Sequence, residues 1–247
     1  MPLQNRVTPW SAIVAHAARY PEPTATFGNR GVLHGDHRNI VRPFNGKMWL
    51  SCKLRVDRSR KRQLDDNRAF NGRKRVLMTP RRYTELFFLD EVTAMAAGHR
   101  PCACCRRADY ARFIECWART FPRPERWTAA AVDAELHQAR LDSALRKAVY
   151  SAPLASLPDG VFIAFEGHEP ALPSEREDYE EDAWLLWAGH LHRWTHHGYT
   201  ERRPAGDSAN QDAATPLHVR VLTPRPLVSL LHAGYEPGPP HESALVQ

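Results

Sequence analysis

Residues 97–107 read AGHRPCACCRR, which puts three of the chain's five cysteines within four positions. Cys102 and Cys105 form Cys-x-x-Cys. On one tight turn, that spacing lets two thiolates reach a tetrahedral metal ion about 2.3 Å away. The same pair could serve as a redox dithiol, since the thiolate is the reactive form in both roles. The flanking sequence favours metal. Asp90 can cap a two-turn helix, Glu91 lies in its first turn, and Gly98 can close it in a left-handed conformation. The turn is thus led in by a short helix and followed by an amphipathic one, RRADYARFIECWARTF, with Tyr110, Phe113, Ile114 and Trp117 on one face. Cys104 falls one position off the Cys-x-x-Cys register and reads as a free thiol. Cys116 reads as core.

Two further ligands must come from elsewhere, and the candidates are His34, His37 and Cys52. In KMWLSCKLRV, residues alternate so that Leu50, Cys52, Leu54 and Val56 share the inner face of a half-buried strand. His99 can ligate or can orient the turn from behind it.

The stretch FFLDEVTAMAAGHRPCACCRR resembles the second half of the zinc-binding module of the Ada alkyl-phosphotriester repair proteins. FGNRGVLH resembles the first half of relatives appended to bacterial nucleases. Together the two stretches cover about residues 25–110. The resemblance implies a bacterial zinc protein with a four-ligand site, two ligands from a first hairpin and two from the knuckle. By position, Cys102 and Cys105 match the knuckle and His34 matches the first hairpin ligand. The second hairpin ligand of the family falls on Arg38 here, so the pattern departs from the family. Cys52, a thiol on a strand beside the knuckle, then ranks above His37. In the repair proteins a zinc-bound cysteine of the first hairpin accepts the methyl group, and a bound imidazole does not do that work. With His34 in that place the resemblance implies a structural zinc.

The charge distribution suggests a partner. Residues 53–82 hold twelve Lys and Arg against three Asp, a net of +9, whereas the whole chain is +6. The rest is therefore slightly acidic, and the cations form one stripe. Such a stripe beside a zinc module is the electrostatic footprint of nucleic-acid binding. Arg58, Arg60, Lys61, Arg62, Arg73, Lys74 and Arg75 are the expected phosphate contacts. Arg106 and Arg107, at a helix start, would add to them. The plain alternative is a solvated loop.

The elements that must position these groups read as α+β. A leader, 1–26, carries a short helix at 11–19. A small zinc-stabilised β-hairpin/helix module, 27–122, contains the basic hairpin over 48–79 and the amphipathic helix. A linking helix, 123–150, has Thr128 as its cap. A small mostly-β C-terminal domain, 151–247, contains strands at VFIAF, AWLLW, HLHRWT, GYTERR and LHVRVLTP and a helix at PLVSLLHAGY. His190, His192, His196 and His197 in its GHLHRWTHHGY stretch could hold a second, catalytic metal. A nucleic-acid- or nucleotide-directed enzyme is therefore one alternative. An adaptor using the acidic stretch 173–182 and the Trp-rich sheet is another. No stretch has the roughly 18 apolar residues of a membrane span. No apolar run ends in a small-residue cleavage site at the N-terminus, and the uneven cysteines do not suggest a disulfide framework. The expectation is a cytoplasmic protein.

Overall fold

A computed structural model of the chain describes residues 4–17, 26–57, 64–66, 77–165, 182–206 and 217–240. These form a mixed α+β structure with four α-helices and two six-stranded sheets. No described helix is long and apolar enough to cross a membrane.

The first sheet has the order β2-β1-β7-β3-β4-β8. Its strands are β1 (Gln4–Val7), β2 (Ile13–Ala17), β3 (Thr26–Asn29), β4 (Leu50–Lys53), β7 (Leu86–Phe88) and β8 (Arg100–Pro101). Residues 13–17 thus form a strand, not the helix expected over 11–19. β2 pairs antiparallel with β1, and β1 joins the sheet beside β7. The apolar pattern IVAHA fits either period, and strand pairing decides it. Phe27 pairs with Phe87 and Cys52 across this sheet. Gly28 is needed there because a Cβ would lie 2.2 Å from the Leu50 carbonyl oxygen. The inner strand expected over 48–56 breaks at Leu54. β5 (Arg55–Asp57) continues from the break and pairs with β6 (Leu64–Asp66) as a separate two-stranded ribbon. Residues 77–80 make a turn in place of the returning strand.

The second sheet has the order β13-β12-β11-β10-β14-β9 and is antiparallel throughout. Its strands are β9 (Tyr150–Pro153), β10 (Val161–Ala164), β11 (Trp184–Trp187), β12 (His190–Thr195), β13 (Gly198–Pro204) and β14 (His218–Val221). Ala188 and Gly189 join β11 to β12 with φ of 50° and 72°, the left-handed pair a two-residue hairpin turn requires.

Four helices cover the second sheet: α1 (Glu91–Ala96), α2 (Arg107–Thr120), α3 (Ala129–Arg140) and α4 (Arg225–His232). Asp90 caps α1 by accepting from the Thr93 amide, and Gly98 follows with φ 88°. Thr128 caps α3. α3 ends at Arg140, ten residues before the expected end at 150. Asp142 competes with the helix there, because its carboxylate accepts from the amides of Ala144 and Arg146 and turns the chain.

One apolar cluster joins Phe113 and Trp117 of α2, Val132 and Leu136 of α3, Val161 and Ile163 of β10, Val219 of β14 and Leu227 of α4. A second, on the opposite face of the same sheet, joins Val92 and Ala96 of α1 to Phe162, Leu185, Trp194 and Tyr199. The core therefore runs through position 150, and α2 and α3 are built into it.

Candidate metal centre

Cys52, Cys102 and Cys105 come together at the edge of the first sheet. Their sulfurs all lie within 4.8 Å of one another. Four sulfurs held 2.3 Å from a tetrahedral ion are about 3.8 Å apart, so the three positions suit an ion placed between them. Cys52 is on β4. Cys102 and Cys105 are on the turn after β8, which runs parallel to β4 through the pairs Leu50–Arg100 and Ser51–Pro101. The amide of Cys102 donates to the Ser51 carbonyl at 2.9 Å and seats the turn against the strand. Phe27, Leu50, Leu54 and Tyr83 pack around the cysteines. Cys52 and Cys102 are buried, and Cys105 is partly open.

The electrostatics fit a cation. Three thiols this close hydrogen-bond to one another and shift one another's protonation. Hydrogen bonds from Cys105 and Cys52 pull Cys102 down towards the thiolate. The hydrogen bond with Cys102 pushes both Cys52 and Cys105 up, and burial adds to this. A divalent ion would take the place of those protons and let all three sulfurs ionise. The Cys104 amide already points at Cys102 Sγ, 3.4 Å away. Among the described residues no other His, Cys, Asp or Glu side chain joins the group. The trio is compatible with zinc.

The other expected ligands stand elsewhere. His34 is buried, but as a latch between two loops. Its Nε2 donates to the Thr79 carbonyl at 3.2 Å, and its Nδ1 accepts from the Thr84 hydroxyl at 2.7 Å. A carbonyl can only accept, which fixes the tautomer and leaves neither nitrogen for a metal. His37 is exposed on the loop that follows. His99 is buried against Phe88 and accepts from Arg30 Nε at 3.2 Å. Burial, with the cations of Arg30 and Arg140, holds it neutral well below the usual range. Cys104 is exposed and outside the trio, and Cys116 is buried in the helical core.

The expected phosphate contacts divide. Arg58, Arg60, Lys61, Arg62, Arg73, Lys74 and Arg75 lie outside the described residues. Arg107 is exposed at the start of α2. Arg106 turns inward, with its side chain only 9% exposed, and pairs with Glu91 at 2.6 Å and Asp109 at 2.8 Å. Its remaining Nη1 donates to Ser51 Oγ. Arg106 therefore ties the turn to α1 and β4 and is not a surface contact. Two adjacent arginines look equivalent in sequence, and the acids that separate them are 3 and 15 residues away.

Sequence reasoning also missed a cation–aromatic stack behind the thiols. The Trp49 indole lies between the Arg30 and Arg140 guanidiniums, 4.0 and 3.8 Å from its ring. The excess of Arg and Trp is visible in the sequence, but the pairing is not.

The C-terminal histidines do not converge. The rings of His190 and His192 are 6.3 Å apart. His190 Nδ1 bonds the Ala188 carbonyl, and Arg202 lies against the same ring. Among the described residues no carboxylate joins them as a ligand group. No protein-family model matches the chain, and no curated protein or solved structure matches it.

Proposed function

We propose that this chain is a zinc-binding protein that uses the metal to brace a nucleic-acid-binding surface. The observation that carries the metal half is the convergence of Cys52, Cys102 and Cys105 from two separate segments. Thiols from two segments that meet at this spacing can share one ion, and zinc suits an all-sulfur set. The likeness of residues 25–110 to the Ada zinc module belongs to the same proposal. Its support is the knuckle pair with Cys52 beside it, while His34, the match to the first hairpin ligand, stands outside the trio.

The nucleic-acid half rests on charge. The +9 run of residues 53–82 starts at Lys53, next to a ligand, and ends at Arg81 and Arg82, and all three side chains are exposed. Arg42 and Lys47 are exposed on the loop after His34. The latch from His34 to Thr79 and Thr84 sets that loop beside the 79–82 turn. Cations at both ends of the run thus sit on the braced part of the fold. Phosphate contacts release counterions, so affinity should fall steeply with salt.

Titration of the purified protein with a fluorescent oligonucleotide at several salt concentrations tests this. The expected result is a log–log salt slope that shrinks by about one for each phosphate contact removed among Arg60, Lys61, Arg62, Arg73, Lys74 and Arg75 when they are changed to Ser. Absence of binding at low salt, or a slope unchanged in the sextuple variant, would remove the nucleic-acid half.

A further inference from the structure

The metal site depends on two short segments that barely pair. β4 and β8 share only the register pairs Leu50–Arg100 and Ser51–Pro101. That is a short ladder for segments that must place three sulfurs within the few tenths of an ångström a metal site tolerates. The Cys102 amide and Arg106 add contacts between the turn and β4, and a further support acts on the lead-in to both segments.

That support comes from α3. Arg140 Nη1 donates to the Gly98 carbonyl at 2.9 Å, and its Nη2 donates to the Lys47 carbonyl at 2.6 Å. Gly98 lies four residues before Cys102, and Lys47 five before Cys52. One planar guanidinium thus grips the lead-in to each ligand-bearing segment. Two helical turns earlier on the same stripe, Asp133 takes Arg100 of β8 through both oxygens, each contact 2.7 Å. That ion pair is almost wholly buried, with side-chain exposures of 3% and 7%. Trp49, three residues before Cys52, is clamped against the Arg140 face. Gly98 has to be glycine for this grip. Its φ is +88°, and a Cβ there would lie 2.7 Å from Arg140 Cδ. Meanwhile Val132 and Leu136 seat the same helix in the core of the second sheet.

We infer that Asp133 and Arg140 are positioning residues of the metal centre: α3 holds the Cys52 and Cys102–Cys105 segments in the spacing that lets three sulfurs share one ion. Burying a guanidinium costs desolvation, and burial pulls Arg140 down to about 9. An apolar side chain would fill the space more cheaply but could not grip two carbonyls.

This inference rests on the metal reading of the cysteine trio, and the test separates the two. The full-length protein is titrated with Co(II), whose thiolate absorption reports coordination, and the bound Co(II) is then displaced with Zn(II). Arg140→Met and Asp133→Asn should each remain folded by circular dichroism. Each should bind one ion with affinity weakened about tenfold or more, the range found for residues that orient ligands. Arg140→Met should also alter the Co(II) spectrum. Arg140→Lys, able to donate to one carbonyl, should fall between and serves where the Met variant does not fold. Val219→Ala, in the core of the second sheet, should lower stability without moving metal affinity. Wild-type affinity and spectrum in Arg140→Met and Asp133→Asn would overturn the inference and leave the metal reading intact. So would an equal loss in Val219→Ala, which would trace the effect to stability alone. A wild-type protein that binds neither ion would overturn both.

Discussion

In the second sheet Val161 and Ile163 face α2, α3 and α4 while Phe162 and Ala164 face α1, and all four are fully buried. In the first sheet, around β4, Cys52, Ser51 and Trp49 are buried; Phe27, Leu54 and Tyr83 pack beside the thiols, and Arg30, Arg106, Arg140 and His99 contact Ser51 and Trp49. One sheet is closed on both faces by hydrocarbon. The other is held at this edge by thiols, guanidiniums and hydrogen bonds aimed at single atoms. Hydrocarbon burial is non-directional and tolerates small shifts, whereas the polar edge stabilises only when each partner is in place. The first sheet should therefore depend on its metal and the second should not.

The largest expected effect follows from that contrast. Cys52→Ser should abolish metal binding and loosen β3, β4, β8 and the knuckle, while β10, β11 and β14 stay protected. Hydrogen exchange by mass spectrometry reads both sheets at once, and equal loss of protection in the two would break the contrast. Next, Phe162→Ala should cost about 3–5 kcal/mol through the cavity it leaves. Its unfolding midpoint in urea should fall while metal content stays at the wild-type level.

A smaller effect comes from acid. Burial and nearby cations hold His99 well below the ordinary histidine range, and burial with Arg6 pushes His196 down to about 3. The folded chain thus refuses protons that the unfolded chain accepts below pH about 6.5. Stability should be flat above that pH. It should fall as pH drops below about 6.5, and between pH 6 and 5 the change is at most about 1.4 kcal/mol for each histidine. Thermal melts between pH 7.5 and 5 check the direction, and a melting temperature that rises on acidification would contradict it. The smallest effect is expected of His190→Ala, which removes a partly exposed ring with no ligand partners. Stability should move by less than about 0.5 kcal/mol and metal content not at all. A drop in metal content would return the C-terminal histidines to consideration.

What could be read from sequence was what depends on near neighbours. The cap at Asp90, the left-handed Gly98 and the Cys-x-x-Cys turn lie within the sixteen residues 90–105 and follow local rules. The inward placement of Cys52 holds, but the alternation does not, since Trp49 and Ser51, expected on the open side, are buried as well. His34 was not legible, because a buried imidazole makes an equally good ligand or latch. The choice was made by Thr79 and Thr84, 45 and 50 residues away. The inward turn of Arg106 likewise depends on Glu91, 15 residues away, whereas the stop of α3 is a local turn at Asp142. The helix expected at 11–19 failed for a related reason, since its alternative as a strand exists only where β1 can pair with it.

Metal analysis of purified protein by mass spectrometry, comparing wild type, Cys52→Ser and His34→Ala, tests the central claim most directly. The account predicts one zinc per chain in the wild type and in His34→Ala, and none in Cys52→Ser. Zinc retained by Cys52→Ser and lost from His34→Ala would contradict it.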